Sequence, residues 1–149
     1  MLYSCRMQGL HLTADLYDCQ CATHWLTDAN RLGNACGAAV NEVGLTVVGR
    51  LLHTFPPLAG GPGGVTATLL LAESHLCVHT WPESRQVTLD VYVCNVGADH
   101  SSRARELLTR LLALFAPAHC SQHALKRGLP GHAPAGDLTS TQLTAPETP

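Results

Sequence analysis

The chain has 149 residues, of which 46% are hydrophobic and only 13% charged, and its formal net charge is −2. That length suits one domain with a real core, and the near-neutral balance without a basic stripe argues against a nucleic-acid partner. The longest apolar run, around Leu69 to Leu71, is far too short to cross a bilayer, and the N-terminus lacks a long apolar core followed by a small-residue cleavage site, so a cytoplasmic protein is expected.

In chain order, Met7 is followed by alternating polar and apolar residues through Tyr17, the pattern of a half-buried strand. Met7 could itself be the start, with residues 1–6 an optional extension. Thr27-Asp28 precedes Ala29, Leu32, Cys36, Ala39 and Val40 at three- and four-residue spacing, and Gly44 follows, which predicts a capped amphipathic helix over 28–42. Leu45 to Phe55 reads as a strand, and the run Pro56 to Gly64 as a loop whose glycines permit close approach to a ligand.

Val65 to Trp81 is strand-like throughout yet too long for one strand. The polar triplet Glu73-Ser74-His75 marks the break, with Ser74 on a turn between two strands. Gln86 to Cys94 makes another strand, Ser101 or Ser102 caps a helix carrying Leu107, Leu108, Leu111, Leu112 and Phe115, and Ala118 to Lys126 forms a last strand. Residues 128–149 turn to Pro, Thr, Gly and Ala and are expected as an unstructured tail after a single domain over 1–127.

Short links between consecutive strands favour an α+β fold, an antiparallel sheet with two helices packed on one face as a two-layer sandwich. The other face is left for a partner, and a homodimer is expected.

The seven cysteines (Cys5, Cys19, Cys21, Cys36, Cys77, Cys94 and Cys120) include no CxxC pair of zinc-ribbon type. Most are expected as reduced, buried small hydrophobes. Cys19-Gln20-Cys21 lies near His24, but four spaced ligands are missing, so no metal is expected.

Within Glu73-Ser74-His75-Leu76-Cys77-Val78-His79 stand a hydroxyl, two imidazoles and a thiol, all groups of nucleophilic chemistry. The absence of Gly-x-Ser-x-Gly gives no support to a hydrolase elbow. Local composition alone favours a turn serine and two satisfied strand histidines.

The run Ala72-Glu73-Ser74-His75-Leu76-Cys77-Val78-His79-Thr80-Trp81-Pro82-Glu83, followed by Leu89-Asp90-Val91-Tyr92-Val93-Cys94, resembles the signature of bacterial S-adenosylmethionine decarboxylases. Gly9-Leu10-His11-Leu12, with Tyr17 and Cys19, resembles the family's first strand, so the likeness spans about residues 7–127. It implies cleavage between Glu73 and Ser74: the Ser74 hydroxyl attacks the preceding carbonyl, the ester eliminates, and hydrolysis leaves a pyruvoyl group. By the same resemblance His79 moves the protons of processing. The pyruvoyl ketone forms a Schiff base with substrate and accepts the electrons released with CO₂, and Cys94 protonates the product.

The resemblance further implies substrate binding by Phe55, as an aromatic stack for adenine, by Glu83, which would accept from ribose hydroxyls of its own or a neighbouring subunit's substrate, and by Thr66. Gly64-Val65-Thr66-Ala67 departs from the family's Gly-Val-Ser-Gly, the loop before it is about five residues longer, and Asn95 replaces a glycine after Cys94. The readings in competition are an S-adenosylmethionine decarboxylase serving spermidine synthesis, a pyruvoyl-dependent arginine or ornithine decarboxylase on the same scaffold, and an uncleaved regulatory paralogue. The presence of Ser74, His79 and Cys94 argues against the third.

Overall fold

The computed structural model describes residues 7–58 and 60–128. Among these, β1 (Gly9–Cys19), β2 (Val47–Thr54), β3 (Val65–Leu71), β4 (Ser74–Trp81), β5 (Gln86–Cys94) and β6 (Pro117–Arg127) form one antiparallel sheet in the order β2-β3-β4-β5-β1-β6. Three helices accompany it: α1 (His24–Thr27), α2 (Ala29–Glu42) and α3 (Ser101–Phe115). The result is the expected α+β sandwich, with a four-residue α1 added to the two expected helices.

Alternation along the strands fixes which face is covered. Leu10, Leu12, Ala14 and Leu16 of β1 are buried, as are Val87, Leu89, Val91 and Val93 of β5 and Leu76 and Val78 of β4. Against them pack Leu32, Cys36 and Val40 of α2 and Leu107, Leu111 and Phe115 of α3, all essentially inaccessible to water. Each such side chain contributes about 1.5–3 kcal/mol by leaving water.

The opposite face carries the other half of every strand. One row across it reads Leu70, His75, Tyr92, His11 and Leu125, and another Thr66, His79, Thr88 and Asp15. Among the described residues no helix covers this face, because both long helices are committed to the other.

Local chemistry sets the helix ends. Asp28 accepts the Arg31 N–H at 3.0 Å and starts α2. Gly44, at φ +79°, ends it in a Schellman motif, with the Leu45 N–H on the Val40 carbonyl and the Gly44 N–H on that of Asn41. Ser101 does not cap α3 as expected; it is the first helical residue, and Asp99 accepts its N–H at 2.9 Å.

Other boundaries also shift. β1 begins at Gly9 and runs to Cys19, β2 is shorter than the 45–55 expected, and β6 gains one residue at each end. Apart from Gly128, the tail expected at 128–149 lies outside the described residues, as do the alternative start at Met1 and Cys5. Cysteine burial is narrower than expected: Cys19 and Cys36 are buried, Cys21, Cys77 and Cys94 are half-buried and Cys120 is exposed. Among the described residues no helix is long and apolar enough to cross a membrane.

Candidate active site

The hairpin joining β3 to β4 is closed by the Leu71–Ser74 pair, so the turn consists of Ala72 and Glu73, and Ser74 is the first residue of β4 rather than a turn residue. Glu73 sits at φ +56°, a left-handed conformation that costs a residue with a side chain about 1 kcal/mol. The residue whose carbonyl precedes Ser74 therefore holds a strained backbone conformation.

The β4–β5 ladder ends at the His75–Tyr92 pair. Beyond it, the Cys94 N–H donates to Ser74 Oγ at 3.0 Å. Ser74 and Cys94, two of the expected residues, thus meet at one end of the sheet.

Phe55, Thr66, His79 and Glu83 meet at the other end of β4. With Pro56, Gly64 and Trp81 they line a cavity of about 430 Å³. Thr66 Oγ1 lies 2.8 Å from His79 Nδ1, so the methyl added at this position leaves the hydroxyl in contact with the imidazole. The Phe55 ring is half-exposed and stacks edge-on with His53, their centroids 4.7 Å apart.

The glycines of this loop serve the fold more than a ligand. A Cβ on Gly63 would lie 1.8 Å from the Phe55 carbonyl oxygen, and one on Gly64 2.0 Å from that of Thr80. Both positions require glycine because backbone presses on backbone there.

The two groups do not meet within one chain. Ser74 and His79 are five residues apart on one strand, or roughly 16 Å at 3.3 Å per residue, and the odd spacing puts them on opposite faces.

Some residues that shape the site were invisible to motif reading. Thr80 is buried; its hydroxyl donates to the Leu26 carbonyl at 2.7 Å and accepts the Val65 N–H at 2.8 Å, tying α1 to β3 beside the cavity. Arg85 donates to the carbonyls of Cys19 and Cys21, which is the role the Cys19–Cys21 segment plays here. Burial, together with the neighbouring Cys21, pushes the Cys19 thiol up to about 11.

On the open face, one row from Cys94, His11 Nε2 lies 2.7 Å from Asp90 Oδ1, and the rings of His11, His75 and Tyr92 cluster within 6.0 Å of one another. Burial, and then the nearby His11, lower the His75 pKa below its ordinary value, against the pull of Asp90. The signal in the sequence was polar residues at strand positions that alternate with buried ones. Cys77, expected as packing, occupies the same open face between Thr68 and Asp90.

Fold and site together describe an open-faced α+β sandwich with a hydroxyl held beside a strained residue at one end and an aromatic-lined cavity at the other. The model of the family described as S-adenosylmethionine decarboxylase matches residues 10–128. An S-adenosylmethionine decarboxylase proenzyme of Prochlorococcus marinus is 37% identical over 120 residues, covering 80% of this chain and 85% of that protein. One from Acidithiobacillus ferrooxidans is 31% identical over 123 residues, covering 83% and 84%. The crystal structure of the adenosylmethionine decarboxylase from Aquifex aeolicus superposes with a TM-score of 0.72 at 27% identity, covering 86% of this chain and 97% of that one. The chain belongs to the S-adenosylmethionine decarboxylase family. None of these relatives favours the arginine or ornithine alternative.

Proposed function

We propose that this chain is a proenzyme that cuts itself between Glu73 and Ser74 and then decarboxylates S-adenosylmethionine, the aminopropyl donor for spermidine synthesis, as one catalytic domain over 1–127. The observation that carries the reading is the Ser74 hydroxyl held at 3.0 Å by the Cys94 N–H, immediately after a residue at φ +56°. The residues present fit a pyruvoyl group at position 74. Its precursor hydroxyl is fixed in place, and the residue whose carbonyl it would attack is held at a positive φ. Once formed, the group supplies a sink for the electrons released with CO₂.

The chain's own side chains take the remaining roles. The Cys94 thiol holds the proton destined for the product's α-carbon. His79 moves protons during self-cleavage, and the Thr66 hydroxyl on Nδ1 fixes the ring and leaves Nε2 to exchange them. Phe55 offers a face to adenine and to the sulfonium, while Glu83 accepts from ribose hydroxyls.

Because Ser74 and His79 of one chain lie at opposite ends of β4, we place a working site between two copies. The Ser74–Cys94 end of one faces the Phe55–His79–Glu83 cavity of the other, and a two-fold axis builds the pair twice. The uncovered sheet face supports this arrangement: Leu51, Leu70 and Leu125 are each more than half exposed on it, flanked by Tyr17 and Trp81. The six described cysteines are all free, which suits a reducing cytoplasm.

The test is the denatured mass of the purified protein beside that of Ser74→Ala, followed by CO₂ release from carboxyl-labelled S-adenosylmethionine, arginine and ornithine. Fragments meeting at residues 73 and 74, with release from S-adenosylmethionine alone, are expected. A single uncut chain would sink the proenzyme reading, and release only from an amino acid would overturn the substrate.

A further inference from the structure

The Cys94 backbone N–H has a chemical consequence beyond holding a hydroxyl, because Ser74 Oγ is the atom whose bonding changes at each step of self-cleavage. Resting on the proenzyme reading above, we infer that the Cys94 main-chain amide catalyses the elimination step by holding the leaving oxygen. The thiol of the same residue is not involved.

In the first step Ser74 Oγ adds to the Glu73 carbonyl carbon. The C–N bond to Ser74 breaks, and the hydroxyl proton ends on the freed Ser74 nitrogen. Oγ is now the single-bonded oxygen of an ester with Glu73.

In the second step a base removes the Ser74 α-proton. The Cβ–Oγ bond breaks, and its electron pair stays on Oγ, which departs as one oxygen of the new Glu73 carboxylate. The Cα=Cβ enamine left behind tautomerises to an imine. Water hydrolyses the imine to the ketone and releases ammonia, so both atoms and electrons balance.

In the addition any charge on Oγ is consumed as the new C–O bond forms, whereas in the elimination negative charge builds on Oγ as the Cβ–Oγ bond breaks. A donor fixed at 3.0 Å from Oγ binds that developing charge more strongly than it binds a neutral hydroxyl or ester oxygen. Such differential binding is what lowers a barrier.

The position of the donor is built into the sheet. Cys94 is paired with Gly9 of β1 on one side, while on the other the β4–β5 ladder has ended two residues earlier, at His75–Tyr92. The next residue is tied down as well. The Asn95 N–H donates to the Gln8 carbonyl at 2.7 Å. The Asn95 side chain accepts from the His100 N–H at 2.9 Å and donates to Ser101 Oγ at 3.0 Å. With both flanks held, the amide cannot follow a retreating group and stays where the leaving oxygen needs it.

The experiment replaces one atom group. The protein is made by in-vitro translation with the α-hydroxy analogue of cysteine at position 94, which keeps the thiol and exchanges the N–H for an ester oxygen. An all-amide protein is made in parallel. Self-cleavage is followed by mass, with and without hydroxylamine, and the fold is checked by thermal denaturation.

Hydroxylamine opens an accumulated Glu73–Ser74 ester to a hydroxamate and a chain that begins with intact serine, distinct in mass from the pyruvoyl chain and from the fragments of the engineered ester at 93–94, which it opens too. The expected result is a slowing of about 10²-fold, the size of a lost donor to a developing oxyanion, with build-up of the hydroxylamine-sensitive ester. Cleavage at the all-amide rate overturns the inference. So does slow cleavage without ester, which would place the amide before the elimination or merely in the fold. If the all-amide protein itself never cleaves, the proenzyme reading fails, and the inference fails with it.

Discussion

Co-expression of a His79→Ala chain with a Ser74→Ala chain is expected to produce cut protein that neither chain yields alone. Along β4 the two residues are separated by roughly 16 Å, whereas proton transfer needs a contact of about 3 Å or one bridging water. His79 therefore has no route to the Ser74 of its own chain. In a mixed dimer the Ser74 of the His79→Ala chain meets the His79 of the Ser74→Ala chain, and one of the two composite sites is whole. If chains pair at random into two-fold dimers, about half of the His79→Ala chains find such a partner and become cuttable. Different tags on the two chains, tandem purification and denaturing mass spectrometry would read out fragments 1–73 and 74–149 from the His79→Ala chain only. Doubly tagged dimers that stay uncut would refute the shared site, and so would a His79→Ala chain that cuts itself at the normal rate.

Thr80→Val strands the buried Leu26 carbonyl and Val65 N–H that its hydroxyl now satisfies. It should lower stability by about 2–3 kcal/mol, measurable by urea unfolding in the uncuttable Ser74→Ala background. In the same background Glu73→Gly relieves a residue held at φ +56° and should raise stability by about 1 kcal/mol; a fall in Tm would remove the case for strain beside the cleaved bond. The His75 pKa is lowered in the fold from an ordinary value of 6.5. Below that value the unfolded chain binds this proton more readily than the folded one, so acidification should destabilise the protein and alkaline pH should not. Replacing His75 by Phe should flatten that part of the stability profile between pH 5 and about pH 7, with His11, Asp90 and Arg127 still facing the ring's position.

The sheet was legible because its strands alternate with little interruption. Leu10, Leu12, Ala14 and Leu16 are buried while His11, Thr13, Asp15 and Tyr17 are not, and period two is the strongest signal a half-buried strand can give. Asp28 and Gly44 marked both ends of α2 for equally local reasons. The four residues of α1 left no periodicity to read. Ser101 was a plausible cap by type, but whether a hydroxyl caps a helix depends on where the preceding backbone puts Asp99 and Asn95. Thr80 and Arg85 make their contacts with residues 54 and 66 positions away in sequence, which no local pattern records.

The candidate site could be read from the sequence as a list of residues but not as an arrangement, and the reason lies in strand geometry. A helix brings residues five apart to within about 7.5 Å along its axis, whereas an extended strand carries them more than twice as far and turns them to opposite faces. Ser74 and His79 stand close in the text of the chain for the very reason that they stand apart in space: both lie on β4, one at each end. The same extension makes β4 useful as a spacer. In the proposed dimer, a two-fold partner would set its own His79 end against this chain's Ser74–Cys94 end, so that the length of a single strand would measure out two sites at once. On this geometry, a two-residue insertion in β4 between Ser74 and His79 would preserve the facing of both side chains. It would lengthen the spacer by about 6.6 Å and should abolish self-cleavage in homodimers, provided dimers still form by sedimentation. Normal cleavage by such a dimer would mean that the proton acceptor for Ser74 is not His79 of either copy.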